Sequence, residues 1–438
     1  MIGTQGFLIA APHSGSGKTT LALALMRAFK NRGIDVQTAK AGPDFIDPVF
    51  HAHASGNACV NFDPWAMRTE LIRSLAAERS QRGMLIVEAM MGLFDGAADG
   101  SGSAADLAHL LGLPVVLVVD AAKQSHSIAA LVAGFRDHRS ELGFAGVILN
   151  KVGSDRHERM LRVALAAIDV PVFGVVRRDE GLALPSRHLG LVQAREHSDL
   201  ETFVAHAASR IEAQVDLDAL AQCRGEFAPV EGTVEPGIRP PGNRIAVAQD
   251  DAFAFSYPHL LNSWHQQSAS LHPFSPLSNQ GPDEAADAVF LPGGYPELHG
   301  GRLAGADRFH SRLLAAADRG AFIYGECGGY MVLGEGLIDA DGVRHKMANL
   351  LPLVTSFKDR KLHLGYRICK PLSDMPIASS TSVLTAHEFH YSTIAEERSA
   401  DRLFAVEDAL GENRADVGMR IKNIAGSYMH LIDWRDGT

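Results

Sequence analysis

Residues 11–20, APHSGSGKTT, decide the fold of the N-terminal half of this chain. They follow the apolar run GFLIA at 6–10 and open a helical pattern at 21–30, which is the strand, loop and helix order of a phosphate-binding loop. The usual pattern is G-x-x-x-x-G-K-[ST], and here Pro12 stands in place of the first glycine. The remaining SGSGKTT still predicts a nucleotide site at the start of the helix.

The loop also predicts which residues contact the nucleotide. Lys18 can reach the β- and γ-phosphates as a point charge, and the hydroxyl group of Thr19 can ligate Mg²⁺. The run ILNKVG at 148–153 resembles a guanine-reading N-K-x-D loop, but Gly153 takes the place of the aspartate, so ATP is favoured over GTP. The predicted nucleotide-binding residues are Ser14, Gly15, Ser16, Gly17, Lys18, Thr19 and Thr20.

Two further segments carry acidic residues in Gly/Pro-containing loops: KAGPDFIDPVFH at 40–51 and VEAMMGLFDG at 87–96. Ligands of open parallel sheets collect beyond the carboxyl ends of the strands, so these loops are expected beside the phosphate loop. Any one acidic residue alone is equally well explained as a solvated turn former. Asp44, Asp47, Glu88 and Asp95 are all candidates for Mg²⁺ ligation and substrate placement, and the predicted metal ligands are Thr19, Asp47 and Glu88.

The order of apolar runs predicts two α/β domains. Buried parallel strands are predicted near 7–11, 34–39, 84–89, 114–119, 144–149 and 171–176, separated by amphipathic stretches of helix length, which is the doubly wound α/β pattern. A second α/β series begins at Arg244, and residues 349–408 are expected to add antiparallel strands to it. The predicted division is a first domain at 1–215, a Pro/Gly-rich linker at 216–243 and a second domain at 244–438.

Composition excludes several classes of protein. The 438 residues exceed what one hydrophobic core usually serves. The net charge of −10, without any basic block, argues against a nucleic-acid partner. No apolar run is long enough for a membrane span and the N-terminus lacks a secretory pattern, so a cytoplasmic protein without a membrane partner is expected. The four cysteines are too scattered for a metal knuckle or a disulfide scaffold.

One cysteine is predicted to be a nucleophile. In FIYGECGGY at 322–330, Cys327 lies between glycines after an apolar run, where a strand can turn sharply into a helix. His430, just after the last apolar run, is the predicted base, with His387 and His390 as competitors. The last two, with Glu388, could instead belong to a metal site, although a third ligand with convincing spacing is absent from the sequence. The predicted oxyanion donors are Gly293 and Gly294 in LPGGYPELHG at 291–300.

Five ordered motifs resemble the cobyrinic acid and hydrogenobyrinic acid a,c-diamide synthases, glutamine-dependent enzymes of cobalamin biosynthesis. The motifs are KAGPDFIDPVFH, VEAMMGLFDG, LPGGYPELHG, ECGGYMVLG and HEFHYS. The resemblance implies an N-terminal ATP-binding amide synthetase domain similar to dethiobiotin synthetase and a C-terminal class I glutamine amidotransferase domain. It places Asp44, Glu88 and Asp95 in the synthetase chemistry, and Cys327 and His430 as nucleophile and base of the glutaminase.

The sequence departs from the usual amidotransferase triad at one position. A glutamate two residues after the histidine is the usual third member, and here that position holds Ile432. Asp433 is a poor substitute by spacing. What orients His430 is therefore left open at this stage.

The resemblance and the residues together predict an ATP-dependent ligase that takes ammonia from L-glutamine. ATP would convert the a and c carboxylates of a tetrapyrrole polycarboxylate to acyl phosphates, which ammonia then attacks. Ammonia is mostly protonated in water at neutral pH, so a closed path between facing active sites is expected. Hydrogenobyrinic acid is the favoured substrate, with cobyrinic acid and nickel sirohydrochlorin as alternatives; a homodimer is left open. A nucleotide-dependent switch protein is the alternative of another class, although such proteins lack the Cys327 domain.

Overall fold

The structure, a computed structural model, describes residues 1–182 and 199–436. The chain divides into two compact units, of which the first comprises Met1–Trp65 and Thr69–Val234, and the second Ala66–Arg68 and Glu235–Thr438. Both are α/β units built on a mainly parallel sheet, which confirms the predicted fold class. In the part of the chain that is described, none of the helices combines the length and apolar character needed to cross a bilayer.

The first unit contains a doubly wound parallel sheet. Its strands are β1 (Ile2–Ala10), β2 (Val36–Ala41), β3 (Val60–Phe62), β4 (Met84–Glu88), β5 (Val115–Asp120), β6 (Phe144–Val152), β7 (Val172–Arg177) and β8 (Arg224–Phe227). The parallel strands run in the order β3-β2-β4-β1-β5-β6-β7, and β8 adds to β1 antiparallel. The central strand is buried on both faces, as Phe7, Leu8 and Ile9 illustrate, and such strands read as continuous apolar runs.

Helices connect these parallel strands. They are α1 (Lys18–Asn31), α2 (Asp47–Ser55), α3 (Thr69–Arg82), α4 (Ala104–Leu110), α5 (Ile128–Asp137), α6 (Asp155–Ala166), α7 (Leu200–Gln214) and α8 (Leu217–Leu220). The phosphate loop joins β1, the central strand, to α1. Because β4 is a neighbour of β1 and β2 is a neighbour of β4, the loops that follow these three strands share one edge of the sheet. The six apolar runs predicted as strands correspond to β1, β2, β4, β5, β6 and β7.

The stretch 216–243, predicted to be a linker, contains α8 and β8. The strand β8 forms a regular antiparallel ladder with β1, in which Ile2 is opposite Phe227 and Gln5 is opposite Arg224. Regular structure resumes only at Arg244, and the first compact unit ends at Val234. The linker boundaries stay a prediction.

The second unit contains a six-stranded sheet in the order β10-β9-β11-β12-β21-β20. Its strands are β9 (Arg244–Ala248), β10 (Ser270–Phe274), β11 (Ala288–Leu291), β12 (Phe322–Glu326), β20 (Met419–Ile421) and β21 (Ile424–Ser427). All neighbours are parallel except β20, which pairs antiparallel with β21. The helices are α9 (Pro258–Gln266), α10 (Gly300–Ala304), α11 (Asp307–Asp318) and α12 (Gly328–Leu333).

Two four-stranded sheets complete the second unit. One has the order β14-β13-β15-β18, and its strands are β13 (Gly336–Ile338), β14 (Arg344–Lys346), β15 (Leu353–Ser356) and β18 (Thr393–Glu397). The other has the order β19-β16-β17-β22, and its strands are β16 (His363–Pro371), β17 (Val383–His390), β19 (Phe404–Asp408) and β22 (Met429–Arg435). The expected antiparallel strands at 349–408 are thus present. The strand β22, absent from the sequence prediction, places His430 opposite His387 of β17.

Candidate active sites

The phosphate loop has a backbone that only glycine readily adopts. Gly15 and Gly17 have φ values of 82° and 86°, in the left-handed region, and α1 begins directly afterwards at Lys18. A methyl group on Gly17 would collide with the side-chain amide of Asn150, whose Nδ2 donates to the carbonyl group of Ser16 at 2.9 Å. Asn150 therefore supports the loop from β6, a role that the sequence did not indicate.

Lys18 and Thr19 both lie next to the end of β4. The ammonium group of Lys18 donates to the carbonyl groups of Ala89 and Met91, and its Nζ is 3.9 Å from Glu88 Oε1. The hydroxyl group of Thr19 donates to the same Glu88 oxygen at 2.6 Å. Burial, together with the positive charge of Lys40, lowers the pKa of Lys18 to about 8. Two residues from the loop thus meet one carboxylate from the 87–96 segment.

Glu88 is the fully buried centre of a cluster of charges, of which Asp47 is partly exposed. Lys40 Nζ lies 2.6 Å from Asp47 Oδ2 and 3.2 Å from Glu88 Oε1, and His51 Nε2 lies 2.6 Å from Glu88 Oε2. Burial alone would raise the pKa of Glu88, but Lys40, His51 and Lys18 hold it well below its ordinary value. Burial would likewise lower the pKa of Lys40, but Asp47 and Glu88 raise it above its ordinary value. The cluster therefore keeps its charges.

Lys40 and His51 were missed as candidates, although both lie in the 40–51 motif. The available signal was a lysine directly after the predicted strand at 34–39, because a lysine that becomes buried needs an anionic partner. For His51 the sequence offered no such signal. Its burial and its contact with Glu88 depend on α2 packing against β2, the neighbour of β4 in the sheet.

Asp44 and Asp95 have local partners as well as a place beside the loop. Asp44 Oδ1 accepts from the backbone N–H groups of Ile46 and Asp47, at 2.7 and 3.0 Å, and burial with the nearby Asp47 raises its pKa to about 6. Asp95 Oδ2 accepts from the N–H group of Gly92 at 2.8 Å. The next backbone group, Leu93 N–H, donates to Ala11 O at 3.0 Å, so this turn adjoins the phosphate loop. All the predicted acidic residues therefore lie at one edge of the sheet.

A cavity of about 290 Å³ continues from the phosphate loop. Gly17, Thr20, Asn150 and Lys151 line it together with residues 177–180, which comprise the end of β7 and the three residues after it. Lys151 Nζ lies 2.7 Å from Asp120 Oδ2 and donates to Gly15 O at 3.1 Å. Thus the residues of the ILNKVG run support the loop and its neighbouring cavity.

Cys327 lies at a sharp strand-to-helix turn in the second unit. Its φ and ψ are 46° and −104°, a strained conformation for a residue with a side chain, and it connects β12 to α12. The two glycines after it are required by close packing, since a methyl group on Gly329 would collide with the carbonyl group of Leu291. The thiol is 3.7 Å from the carbonyl oxygen of Phe389. This geometry is typical of a nucleophile elbow.

His430 is next to this cysteine. A methyl group on Gly293 would collide with His430 Cε1 while lying 3.3 Å from both His430 Nε2 and Cys327 Cβ, so the three residues are packed around one point. Burial raises the pKa of the Cys327 thiol well above its ordinary value, with a further contribution from Glu297. Burial and the neighbouring His387 lower the pKa of His430 to about 3. At neutral pH the pair is therefore a thiol and a neutral imidazole.

The predicted oxyanion residues adjoin the nucleophile. A methyl group on Gly328 would lie 2.9 Å from the backbone nitrogen of Gly294, so these two peptide groups approach closely beside Cys327. The carbonyl group of Gly293 accepts from Phe255 N–H at 2.9 Å, which fixes the loop after β11. The N–H group of Gly328, directly after the nucleophile, is a donor that the sequence analysis did not name, although this position is general for nucleophile elbows.

His387 and His390 have other surroundings. His390 Nδ1 lies 3.0 Å from Ser392 O, its Nε2 lies 3.1 Å from Glu388 Oε1, and its ring stacks on Tyr428 at 3.7 Å. Burial, together with the positive charge of Arg367, lowers the pKa of His387 to about 3. A cavity of about 430 Å³ extends from this side of β17, with Glu388, His390 and Tyr428 in its wall.

One group in the described ranges 1–182 and 199–436 has metal-ligand spacing: His363, Glu388 and His390, whose candidate atoms lie within 4.8 Å of one another. It differs from the group considered from the sequence, because His363 replaces His387. The rings of His363 and His390 are stacked 4.5 Å apart and nearly parallel, so their nitrogen lone pairs do not converge. Arg367 Nη2 lies 2.6 Å from Glu388 Oε2 and repels a cation. These contacts do not favour a metal.

Comparison with known proteins agrees with this two-unit arrangement. Residues 7–192 match the family described as the CobQ/CobB/MinD/ParA nucleotide binding domain. Residues 244–437 match the CobB/CobQ-like glutamine amidotransferase domain. The chain thus combines a nucleotide-binding domain with a glutamine amidotransferase domain.

Curated relatives match nearly the whole chain. A hydrogenobyrinate a,c-diamide synthase of Sinorhizobium sp. is 60% identical over 431 residues, covering 98% of this chain and 99% of the relative. That of Rhizobium meliloti (strain 1021) is 56% identical, covering 99% of this chain and 100% of the relative. That of Rhodobacter capsulatus is 48% identical, covering 98% and 99%. The chain belongs to the hydrogenobyrinate a,c-diamide synthase family.

Proposed function

We propose that this chain uses ATP and L-glutamine to amidate the a and c carboxylates of hydrogenobyrinic acid. The observation that carries the proposal is the presence, in one chain, of a phosphate loop joined to a buried Lys–Glu cluster and of a Cys–His pair on a nucleophile elbow. The identity of the macrocycle is supported by the names of the relatives, which cover nearly the whole chain.

In the nucleotide-binding unit, a substrate carboxylate oxygen attacks the γ-phosphorus of ATP and the bond to the β,γ-bridging oxygen breaks, which releases ADP and leaves an acyl phosphate. Ammonia then attacks the carbonyl carbon, and phosphate leaves with the C–O bond electrons. Lys18, next to the end of β4, and Lys40, near the end of β2, supply positive charge for the transferring phosphoryl group. The glycines of the loop let the backbone approach the phosphates.

The oxygen donors at this site fit Mg²⁺. Thr19, Asp47 and Glu88 offer a hydroxyl group and two carboxylates, which are the hard ligands that Mg²⁺ prefers. The ammonium group of Lys40 pairs with both carboxylates, so a metal ion here would share these ligands with it. When bound, Mg²⁺ would neutralise phosphate charge and orient the triphosphate. Asp44 and Asp95 are proposed to position the substrate carboxylate.

In the second unit, His430 takes the proton of Cys327 as the sulfur attacks the carboxamide carbon of glutamine. The resulting oxyanion is stabilised by backbone N–H groups of the loop at Gly293 and Gly294 and by that of Gly328. The proton on His430 passes to the leaving nitrogen, ammonia departs, and water hydrolyses the thioester to glutamate. The packing of Gly293 against both His430 and Cys327 supports this assignment.

The substrate is tested by turnover of hydrogenobyrinic acid, cobyrinic acid and nickel sirohydrochlorin by the purified protein, with ATP, Mg²⁺ and glutamine. The product of the first should be an a,c-diamide, detected by mass and by regiochemistry, with the highest kcat/KM of the three. A higher kcat/KM for another macrocycle would correct the substrate. A protein that binds ATP but neither hydrolyses glutamine nor amidates any of the three would instead support a nucleotide-dependent switch.

A further inference from the structure

We propose that Glu326 is the positioning residue of the glutaminase: its carboxylate lies beside Nδ1 of His430, favours the tautomer with the hydrogen on Nδ1, and so directs the Nε2 lone pair at the Cys327 thiol. The inference rests on the proposed function, because it assigns a role within the same Cys–His reaction. In this role Glu326 replaces the usual glutamate of the triad, whose position holds Ile432 in this chain.

The geometry places Glu326 on the correct side of the base. It is the last residue of β12, directly before Cys327, and only 2% of it is exposed. Its Oε2 lies 3.9 Å from His430 Nδ1, while its Oε1 accepts from the backbone N–H group of Leu431 at 3.2 Å. One oxygen thus fastens the carboxyl group to β22, the strand that carries the base, and the other faces the ring.

The opposite ring nitrogen faces the nucleophile. His430 Nε2 and Cys327 Cβ each lie 3.3 Å from the position of a methyl group on Gly293. For Nε2 to accept the thiol proton, the neutral imidazole must carry its hydrogen on Nδ1. A carboxylate near Nδ1 selects this tautomer and stabilises the imidazolium once it forms, as in the Ser-His-Asp arrangement.

The two residues that could replace Glu326 by spacing have other contacts. Ile432 has no polar side chain, and its carbonyl group lies 2.8 Å from His259 Nε2. The carboxylate of Asp433 is bound by Arg68, with Nε at 3.0 Å. Glu326, by contrast, comes from a different strand, and the pairing of β12 with β21, which precedes β22, brings it to the base.

The role requires the ionised form of Glu326. Burial raises the pKa of its carboxyl group to about 8. The titratable groups around it include His430 on β22, whose pKa burial and the neighbouring His387 lower to about 3. They also include Tyr324 on β12, Cys327 directly after β12, and Cys369 on β16, and burial raises the pKa of each of these three above its ordinary value. All four groups are therefore neutral near neutral pH. A carboxyl group that ionises with rising pH should therefore increase the glutaminase rate over that range.

Glu326→Gln tests the tautomer directly. Because the N–H group of Leu431 donates to the side-chain oxygen, the introduced glutamine would direct its NH₂ group at Nδ1 of His430. It would therefore favour the tautomer with the hydrogen on Nε2, which cannot accept the thiol proton. We expect a loss of roughly 10²- to 10⁴-fold in glutaminase kcat, a change of less than about threefold in KM, and disappearance of the alkaline rise in the pH profile. Glu326→Asp should retain part of the rate and the pH dependence. Glu407→Gln is the matched control: Glu407 is a partly exposed glutamate of β19 that pairs with Lys370.

A double-mutant cycle separates positioning from structural support. If Glu326 acts through His430, Glu326→Gln should cause less than about a threefold further loss in a His430→Ala background. Ammonia-dependent amidation, which needs neither residue, reports folding of every variant. An unchanged glutaminase rate in Glu326→Gln, or equal losses in both backgrounds, would overturn the proposal. Failure of the proposed function is distinguishable, because it would appear as absent glutaminase activity in the unsubstituted protein.

Discussion

Arg68 and Asp433 form a bidentate, largely buried ion pair. Arg68 Nε lies 3.0 Å from Asp433 Oδ2, Nη2 lies 3.2 Å from Oδ1, and the backbone N–H group of Arg68 donates to Oδ2 at 3.0 Å. The guanidinium group also lies 4.0 Å above the ring of Trp434. Because Ala66–Arg68 belongs to the second compact unit and α3 begins at Thr69 in the first, this contact anchors a point where the chain passes between units.

Arg68→Ala should lower the free energy of unfolding of the second unit by about 3–5 kcal/mol, because it leaves the buried charge of Asp433 without its partner. Chemical denaturation followed by tryptophan fluorescence measures this change. Arg82→Ala is the matched control: its partner Glu78 is on the same helix and both side chains are about half exposed, so a loss below about 1 kcal/mol is expected. Equal effects of the two substitutions would contradict the assignment.

Gly293→Ala should abolish glutamine-dependent activity while leaving ammonia-dependent amidation intact. The added methyl group would collide with His430 Cε1 and press on Cys327, so the base would be displaced from the nucleophile. We expect a loss of roughly 10²-fold or more in glutaminase kcat. Gly301→Ala is the control, since a methyl group there meets only His345, at 4.0 Å. A Gly293→Ala protein with normal glutaminase activity would show that the close packing of residue 293 against His430 and Cys327 is not required.

Asp95→Asn and Glu88→Gln should each reduce the kcat of amidation by roughly 10²-fold or more, because Asp95 is proposed to position the substrate carboxylate and Glu88 to hold Mg²⁺. Their effects on stability should differ. Asn can still accept from Gly92 N–H, so Asp95→Asn should unfold at nearly the same midpoint. Glu88→Gln should lower the midpoint, because it removes the anionic partner of the buried His51 and leaves Lys40 with Asp47 alone.

Steady-state amidation with ammonium salt and thermal unfolding together check both expectations. Asp99→Asn, in the exposed turn just after Asp95, is the control for Asp95→Asn and should change neither quantity. Near-normal turnover of Asp95→Asn would show that Asp95 only stabilises its turn and has no part in the reaction. An unchanged unfolding midpoint in Glu88→Gln would contradict the charge cluster as described.

Nucleotide binding should take up a proton at alkaline pH. The pKa of Lys18 is lowered to about 8 by burial and by Lys40, so above that pH the free protein holds Lys18 mostly neutral. A triphosphate favours the charged form, and therefore binding raises the pKa again and draws a proton from solution between about pH 8 and about pH 10. The affinity for ATP should fall as pH rises through this window.

Calorimetric titration with ATP in two buffers of different ionisation enthalpy measures this uptake. At about pH 8.5 the apparent binding enthalpy should depend on the buffer, with uptake of a substantial fraction of one proton, and at about pH 7 the contribution of Lys18 should be much smaller. Buffer-independent enthalpies at the higher pH would show that the ammonium group is charged before the nucleotide binds.

The sequence predicted the parts of the fold that rest on local signals. Buried parallel strands appear as continuous apolar runs, and the phosphate loop and the elbow at Cys327 appear as glycine patterns, so all three were found. The strand β22 was missed because half of it reads as polar: Asp433 is buried only because Arg68, 365 positions earlier, pairs with it. No window of sequence contains that contact.

The same distinction applies to the candidate sites. Asp47 and Glu88 were predicted because acidic residues in loops after strands are visible locally. Lys40 and His51 lie in a motif already quoted, but their importance depends on which strand is the neighbour of β4. Glu326 was not predicted, because the usual third member of the triad lies two residues downstream of the histidine, whereas here sheet pairing brings the carboxylate from a strand upstream of it.

The division of labour between the two units is the central claim, and the variant Cys327→Ala tests it most directly. Amidation of hydrogenobyrinic acid by this variant should be measured with ATP and either glutamine or a high concentration of ammonium salt. The account predicts that glutamine-dependent amidation disappears and that ammonia-dependent amidation proceeds at the rate of the unsubstituted protein. Loss of both activities in a variant that unfolds at the normal midpoint would contradict it.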